Sequence, residues 1–372
     1  MQKIDVAVIG GGVGSAIAYY LALKGIDVVL LEKEAFLGRT TRACAGAVRA
    51  QFSDPTSIMV GKESIKILAD FQKKEDIKFT QGGYLLLAHS SELAKSFKEN
   101  IKLQRSFGLE VEEVTSLDIN KMIPGLPASE YLLATFCPFD GQANPFLVLD
   151  FYRRNILNYG GKIWFKSEVT RLFRDGGHFI IEINQKQRIK AEVVVNAAGP
   201  WAREIAKMVG IEVPSYPERH EIIVTERVAP LFEPMIVEFS DENGCYLQQK
   251  LDGSFVICAS LPTVPNKINF TPSFKFIQEI RRRATRLVPV LGYLTIVRHW
   301  AGHYIMTPDG KPIVGATPLP GFYLAVGLCG HGFMFSPMLG KLMAELITTG
   351  RTSLDISSWI FKRDYSIPEI LK

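Results

Sequence analysis

The chain has 372 residues, 47% of them hydrophobic and 22% charged, with a net charge of +5. That is long for one core and comfortable for two domains sharing an interface, and the composition is that of an ordinary globular protein. The mild positive charge is not gathered into a block, so a nucleic-acid partner is not expected. The densest basic run, Arg281-Arg282-Arg283 with Arg286 nearby, reads as a solvated helix face, with a docking surface for a partner subunit as the alternative. Five cysteines, irregularly spaced and without a CxxC pair, argue against a disulfide framework or a metal site. They favour a reducing, cytoplasmic setting. No continuous apolar stretch reaches the ~20 residues of a spanning helix, so no transmembrane segment is expected, and any membrane contact would be peripheral.

Residues 4–9 (IDVAVI) read as a buried strand, followed at once by glycines. Ser15 to Lys24 reads as a helix ended by Gly25, and 27–31 as a second buried strand closed by Glu32. Strand, glycine turn, helix, strand and acid in about thirty residues form a βαβ unit. Glycine permits the tight turn and brings a pyrophosphate close to backbone N–H groups at a helix N-terminus. Glu32 is placed to accept the hydroxyls of an unphosphorylated ribose, which disfavours NADP. The usual spacing is G-x-G-x-x-G. Here Gly10 and Gly12 fit, but the sixth position is Ser15, with Gly14 one place early.

Helical periodicity returns at 56–75 and 91–107, with a short strand (82–89) between. The turn-rich segment 135–146 leads into a helix, 147–158. A strand meander covers 162–175, 179–185 and 188–199. The region 211–300 is strand-rich, interrupted by one helix near 273–288. The tail, 322–350, repeats the opening logic of strand, glycine turn and helix, and closes on Gly350. The run VVVNAAGPWA (193–202) ends a buried strand in small residues, and GLCGHGF (327–333) offers a second glycine-built helix N-terminus. Three such approaches from distant parts of the chain suit a long, extended cofactor such as FAD better than NAD. The expected fold is α/β (α+β), a Rossmann-like FAD-binding domain interleaved with a mixed, mostly antiparallel substrate domain. The expected boundaries are 1–82, 140–210 and 301–372 for the first, and 83–139 and 211–300 for the second.

At these residues the sequence resembles the D-amino-acid oxidase superfamily, in its glycine and sarcosine oxidase branch. The opening βαβ unit, VVVNAAGPWA, TPDGKPIVG (307–315) and GLCGHGFMFSP (327–337) fall in family order over essentially the whole chain. Within that branch it looks most like the β subunit of archaeal heteromeric L-proline dehydrogenase. CAGAVRAQF (44–52), PFDGQANPF (138–146), HWAGHYIMTPD (299–309) and GHGFMFSP (330–337) carry that match. The resemblance implies an enzyme that oxidises an amino or imino acid with FAD. Gly10, Gly12 and Gly14 would hold the pyrophosphate turn and Glu32 the ribose. Thr40 and Thr41 would meet phosphate and flavin edge, and Val169 the adenine. Ala198 and Gly199 would line the cofactor, and Gly330, His331, Gly332 and Phe333 would bring backbone N–H groups to the flavin. Val13, Lys33 and Arg39 join this cofactor set.

Noncovalent FAD is expected, with FMN allowed at an interface with a partner subunit. The stretch before TPD holds no flavin-linking Cys, and positions 42–44 hold no His. Cys44 reads as a small packed residue. The positions that match family carboxylate anchors carry Tyr304 and Met334, so Arg49 is the best-placed ligand for a substrate carboxylate. Its alternative is a surface or FAD-side ion pair. Tyr246 and Met334 are expected to wall the substrate pocket. His331 is expected to act through its backbone first, His220 through a structural hydrogen bond, and His299 and His303 through packing. The family lysine associated with oxygen use has no counterpart in 254–260, which favours a dehydrogenase passing electrons to a dye, a quinone or a partner subunit. A sarcosine-, glycine- or D-amino-acid-type oxidase, and a noncatalytic flavin-bearing subunit, are the rivals. Hetero-oligomer and homodimer both stay open.

Overall fold

Strand Gln2–Ile9 is buried throughout its last four residues, because parallel neighbours flank it on both sides. One neighbour is Gln187–Asn196, in register Val6 to Val193 and Ile9 to Asn196; the other is Val28–Leu31. Lys162–Trp164 extends the sheet beyond Val28–Leu31, and Phe322–Val326 with antiparallel Ile313–Ala316 extends it beyond Gln187–Asn196. Apolar runs buried on both faces are the signature of such a parallel sheet. The structure, a computed structural model, describes residues 1–239, 245–259, 261 and 267–371.

A second eight-stranded sheet runs in the order Ile296–Met306, Tyr216–Thr225, Phe255–Ala259, Cys245–Gln249, Met235–Phe239, Tyr84–Ala88, Leu133–Cys137, Glu112–Val114. All its pairings are antiparallel except Met235–Phe239 with Tyr84–Ala88. The 300/301 boundary expected from sequence falls inside Ile296–Met306, which pairs along its length with Tyr216–Thr225. A ribbon of Ala47–Val48 and Gly141–Gln142 lies apart from both sheets.

The helices match the periodicities: Pro55–Lys74, Ser91–Ser106, Pro145–Asn158 and Phe274–Leu287. Asp54, Ser90, Asn144 and Ser273 cap their first turns by accepting backbone N–H bonds. The run 162–175 is not one strand. It splits at Lys166, whose φ is +52°, into Lys162–Trp164 in the parallel sheet and Val169–Asp175 in an antiparallel meander. The basic run is only half a solvated face. Arg281 and Arg282 are exposed, whereas Arg283 is buried against Glu279 and Arg286 reaches Glu130 and the buried Glu238.

Helix Val13–Leu23 is apolar on nearly every side because the long helix Gly332–Thr349 covers the face that the sheet leaves open. Gly340 makes that approach: a Cβ there would lie 2.7 Å from the backbone carbon of Ala16. Pro337 interrupts the same long helix and withdraws an N–H from the Phe333 carbonyl. The Ser336 hydroxyl donates to that carbonyl instead, at 2.9 Å, and Ser64 from a neighbouring helix accepts the Met338 N–H at 3.1 Å.

Gly340→Ala is expected to destabilise the fold by about 1–3 kcal/mol, the usual cost of overpacking a dense interior. A thermal melt should show the loss. Adding Ala16→Gly should not restore the midpoint, because the clash is with backbone; full restoration would show that side-chain crowding was the cause.

Candidate active site

A cavity of about 910 Å³ is lined by residues of both large sheets. Its floor at one end is the first glycine turn. Gly10 has φ +102°, and a Cβ there would lie 2.4 Å from the Ala197 carbonyl oxygen. A Cβ on Gly12 would lie 2.7 Å from Thr41 Oγ1. Gly10, Gly12 and Val13 line the cavity. Gly14 lies behind them, outside the lining. Its missing side chain instead admits Val8 Cγ1, 2.9 Å from an ideal Cβ, and Ala197. That is the helix-on-strand packing role usually served by the third glycine, here reached one residue sooner.

Glu32 is 6% exposed and lines the same end. Its Oε2 accepts N–H bonds from Gly11 (2.9 Å) and Gly38 (3.3 Å), and its Oε1 accepts from Glu34 (2.9 Å). The carboxylate therefore braces the glycine turn, a role additional to the ribose contact expected of it. Lys33, Arg39, Thr40, Thr41, Val169, Ala198 and Gly199 also line the cavity. Trp201, which sequence reasoning missed, lines it too, with Phe270 behind it. Lys33 Nζ lies 3.2 Å from the Trp201 ring centroid, Trp201 stacks on Phe270, and Arg39 lies over Phe270. Burial lowers the Lys33 pKa. Alternating cations and rings give no local sequence signal, because three separate segments supply them.

At the other end lie Gly330, His331, Gly332, Phe333 and Met334, leading into Gly332–Thr349. A Cβ on Gly330 would lie 2.6 Å from the Tyr304 ring. The Tyr304 ring thus dictates the glycine above it. Its hydroxyl lies 3.3 Å from that of Tyr246, and its ring stacks on His220 at 3.7 Å. His220 Nε2 also lies 3.0 Å from Glu218. His299 pairs with Glu221 at 2.8 Å, away from the cavity, whereas His303 lines the cavity and accepts the Asn269 N–H at 3.0 Å. Burial pushes the His303 pKa down to about 4.

Arg49 is 6% exposed and lines this end. Its Nη1 donates to the Gln51 carbonyl and its Nη2 to the Leu371 carbonyl; Nη2 also lies 3.2 Å from His331 Nε2. Burial, with the guanidinium beside it, holds the His331 pKa well below its usual value. The ring is therefore neutral and can accept from Arg49. The guanidinium lies 4.2 Å over the Phe52 ring. Among the described residues no carboxylate lies within 4 Å of it. Cys44 lines the wall, its thiol pushed up to about 11 by burial, which makes it a poor nucleophile. All five cysteines are free.

These features fit an extended dinucleotide: two glycine turns at helix N-termini, each excluding a side chain, and a buried acid beside the first. Glu32→Ala is expected to yield protein with markedly less bound FAD, since the change unties the three backbone N–H groups that shape this end of the cavity. Flavin content after dialysis, read from the visible spectrum, checks this; full retention would remove Glu32 from the cofactor set.

The model of the family described as "DAO: FAD dependent oxidoreductase" matches residues 5–346. Among solved structures, L-proline dehydrogenase from P. horikoshii is similar with a TM-score of 0.91 and 32% identity, covering 96% of this chain and 97% of that one. Glycine oxidase from Geobacillus kaustophilus superposes with a TM-score of 0.89 at 26% identity, covering 98% of this chain and 100% of that one. The FAD-dependent oxidoreductase domain-containing protein 1 of Xenopus laevis is 28% identical, covering 100% of this chain and 84% of its own length. No helix among the described residues is long and apolar enough to cross a membrane. With its glycine cradle, its buried acid and a family match that spans both sheets, the chain belongs to the DAO family of FAD-dependent oxidoreductases.

Proposed function

We propose that the chain oxidises the C–N bond of an amino or imino acid, with L-proline as the substrate, and passes the electrons to a dye, a quinone or a partner subunit. One observation carries this reading: a buried arginine lines the cavity with no carboxylate within 4 Å among the described residues. Taking a cation out of water is costly unless it is paired. A substrate carboxylate entering beside Arg49 supplies the missing charge. The similarity to L-proline dehydrogenase and to glycine oxidase supports an amino-acid substrate.

FAD, when bound, supplies the two-electron acceptor. Residues 1–82, 140–210 and 307–372 would form the cofactor half, with Ile296–Met306 assigned to the substrate half. Arg49 would bind the carboxylate and fix the orientation of the carbon to be oxidised. Neutral His331 accepts from the guanidinium without competing for its anion. Tyr246, Tyr304 and Met334 wall the space and exclude water, so orientation and a dry, positive pocket do most of the catalytic work. The FAD is held noncovalently: Cys44 is packed and its thiol is protonated at neutral pH.

An oxygen-using oxidase is the second reading, and Lys250 favours it. Its Nζ donates to the Ala45 carbonyl on the cavity wall at 2.8 Å, and burial pulls its pKa down to about 8. Strand Phe255–Ala259 itself carries no lysine, and Ser260 lies outside the described residues. Lys250 is not among the residues lining the cavity, so we expect dye reduction to exceed peroxide formation by a wide margin. Comparable rates with the two acceptors would favour the oxidase. Turnover by the isolated chain separates both from a noncatalytic flavin-bearing subunit.

Arg49→Met should lower kcat/KM for L-proline by roughly two to three powers of ten, since breaking a buried ion pair costs about 3–5 kcal/mol. The flavin spectrum should stay nearly unchanged. Loss of flavin instead would make Arg49 a cofactor ligand, and parental turnover would move the anchor elsewhere.

A further inference from the structure

Behind Arg49 lies a carboxylate that the chemistry above does not use. Asp140 is fully buried, at 0% exposure. Its Oδ1 accepts the Ala50 N–H at 2.7 Å and its Oδ2 accepts from Gln51 Nε2 at 2.9 Å. Gln51, also at 0%, donates from the same nitrogen to the Tyr84 carbonyl at 3.2 Å and accepts from Thr135 Oγ1 at 3.0 Å. The Gln51 carbonyl in turn receives Arg49 Nη1. Asp140 is therefore tied through the Gln51 side chain to the residue whose backbone carbonyl holds the guanidinium. Backbone ties hold Asp140 from its other side: its carbonyl accepts the Gly83 N–H, and the ribbon Gly141–Gln142 follows it in sequence.

We infer that Asp140 is a positioning residue for substrate binding: it fixes the 49–51 backbone that sets Arg49 at the cavity wall, and its charge offsets that of the guanidinium. This rests on the reading of Arg49 as the carboxylate anchor. The titratable groups facing Asp140 are Arg49, Tyr84 and Cys137. Burial holds the phenol and the thiol neutral, so Arg49 is the one charged neighbour in that group. Burial also pushes the Asp140 pKa up to about 7, against the bonds from Gln51 and Ala50 and the field of Arg49, which lower it. The sign then follows. Below that pH the carboxyl is neutral and Arg49 acts on an incoming anion at full strength. Above it, the Asp140 charge opposes the anion's approach. Anion binding weakens as the pH rises.

The test is titration of the oxidised, FAD-loaded protein with cyclopentanecarboxylate, followed by perturbation of the flavin absorbance. This probe carries a carboxylate and a five-membered ring but no amine that would titrate. Its Kd should rise by about threefold or more between about pH 6 and pH 8, as expected for a charge added near the site. Asp140→Asn keeps an acceptor for Ala50 and removes the charge. It should abolish that step and hold the Kd near its low-pH value; an unchanged step overturns the proposal. Arg49→Met separates the two readings: parental binding by that variant defeats the anchor itself, whatever Asp140 does. If Asp140→Asn is isolated without flavin, Thr135→Val decides. That variant keeps the charge and loosens Gln51, so the step should persist while the Kd rises several-fold at both pH values; an unchanged Kd overturns the positioning role.

Discussion

A guanidinium withdrawn from water organises one end of this molecule. Arg49 is satisfied by two backbone carbonyls and a neutral imidazole, drawn from residues 51, 371 and 331. Each of those groups is held in turn. Gln51 is tied to Asp140, Thr135 and Tyr84. Leu371 is placed by Glu369, whose carboxylate also accepts the N–H groups of Ser53 and Asp54. His331 caps the long helix that packs on the first βαβ unit. The groups in contact with the cation are neutral, and the carboxylates that act on it, Glu369 and Asp140, stand further off.

The other end is organised by an anion in the same manner. Glu32 is a buried carboxylate satisfied by backbone N–H groups of three residues. These donors belong to the glycine turn and to the loop after the second strand, and the carboxylate draws the two together. The cavity thus has an acid at its dinucleotide end and a base at its substrate end. Each is stabilised by backbone dipoles, and among the described residues neither has an opposite charge at contact distance.

Much of this was legible in the sequence. The βαβ unit, the small-residue approach at 193–202 and the second glycine turn at 327–333 are local patterns with a local physical cause. Steric need marked them, and the Cβ clashes at Gly10 and Gly330 are that need made explicit. The misread positions have a common origin. The break at Lys166 was hidden inside an apolar run. Arg283 and Arg286 looked solvated because their acidic partners, Glu279 apart, come from remote segments. Asp140 and the carbonyl of Leu371 carry no motif that ties them to Arg49. Their link is long-range hydrogen bonding, which a linear reading does not display.

The cavity wall also has a temporal side. Its first turn is made by residues 10–13 and its second by residues 327–333, so the two halves of the cradle lie more than three hundred positions apart in the chain. During synthesis the opening strand and helix emerge long before the helix that must cover them. Helix Val13–Leu23, apolar on nearly every face, meets Phe71, Phe151 and Tyr152 through Tyr19 earlier in the chain, but lacks its long covering helix until Gly332–Thr349 arrives. Contacts of such high sequence separation form late. Cofactor capture is therefore a closing event of folding, and the exposed first helix is the stretch of a nascent chain most in need of shielding until that event.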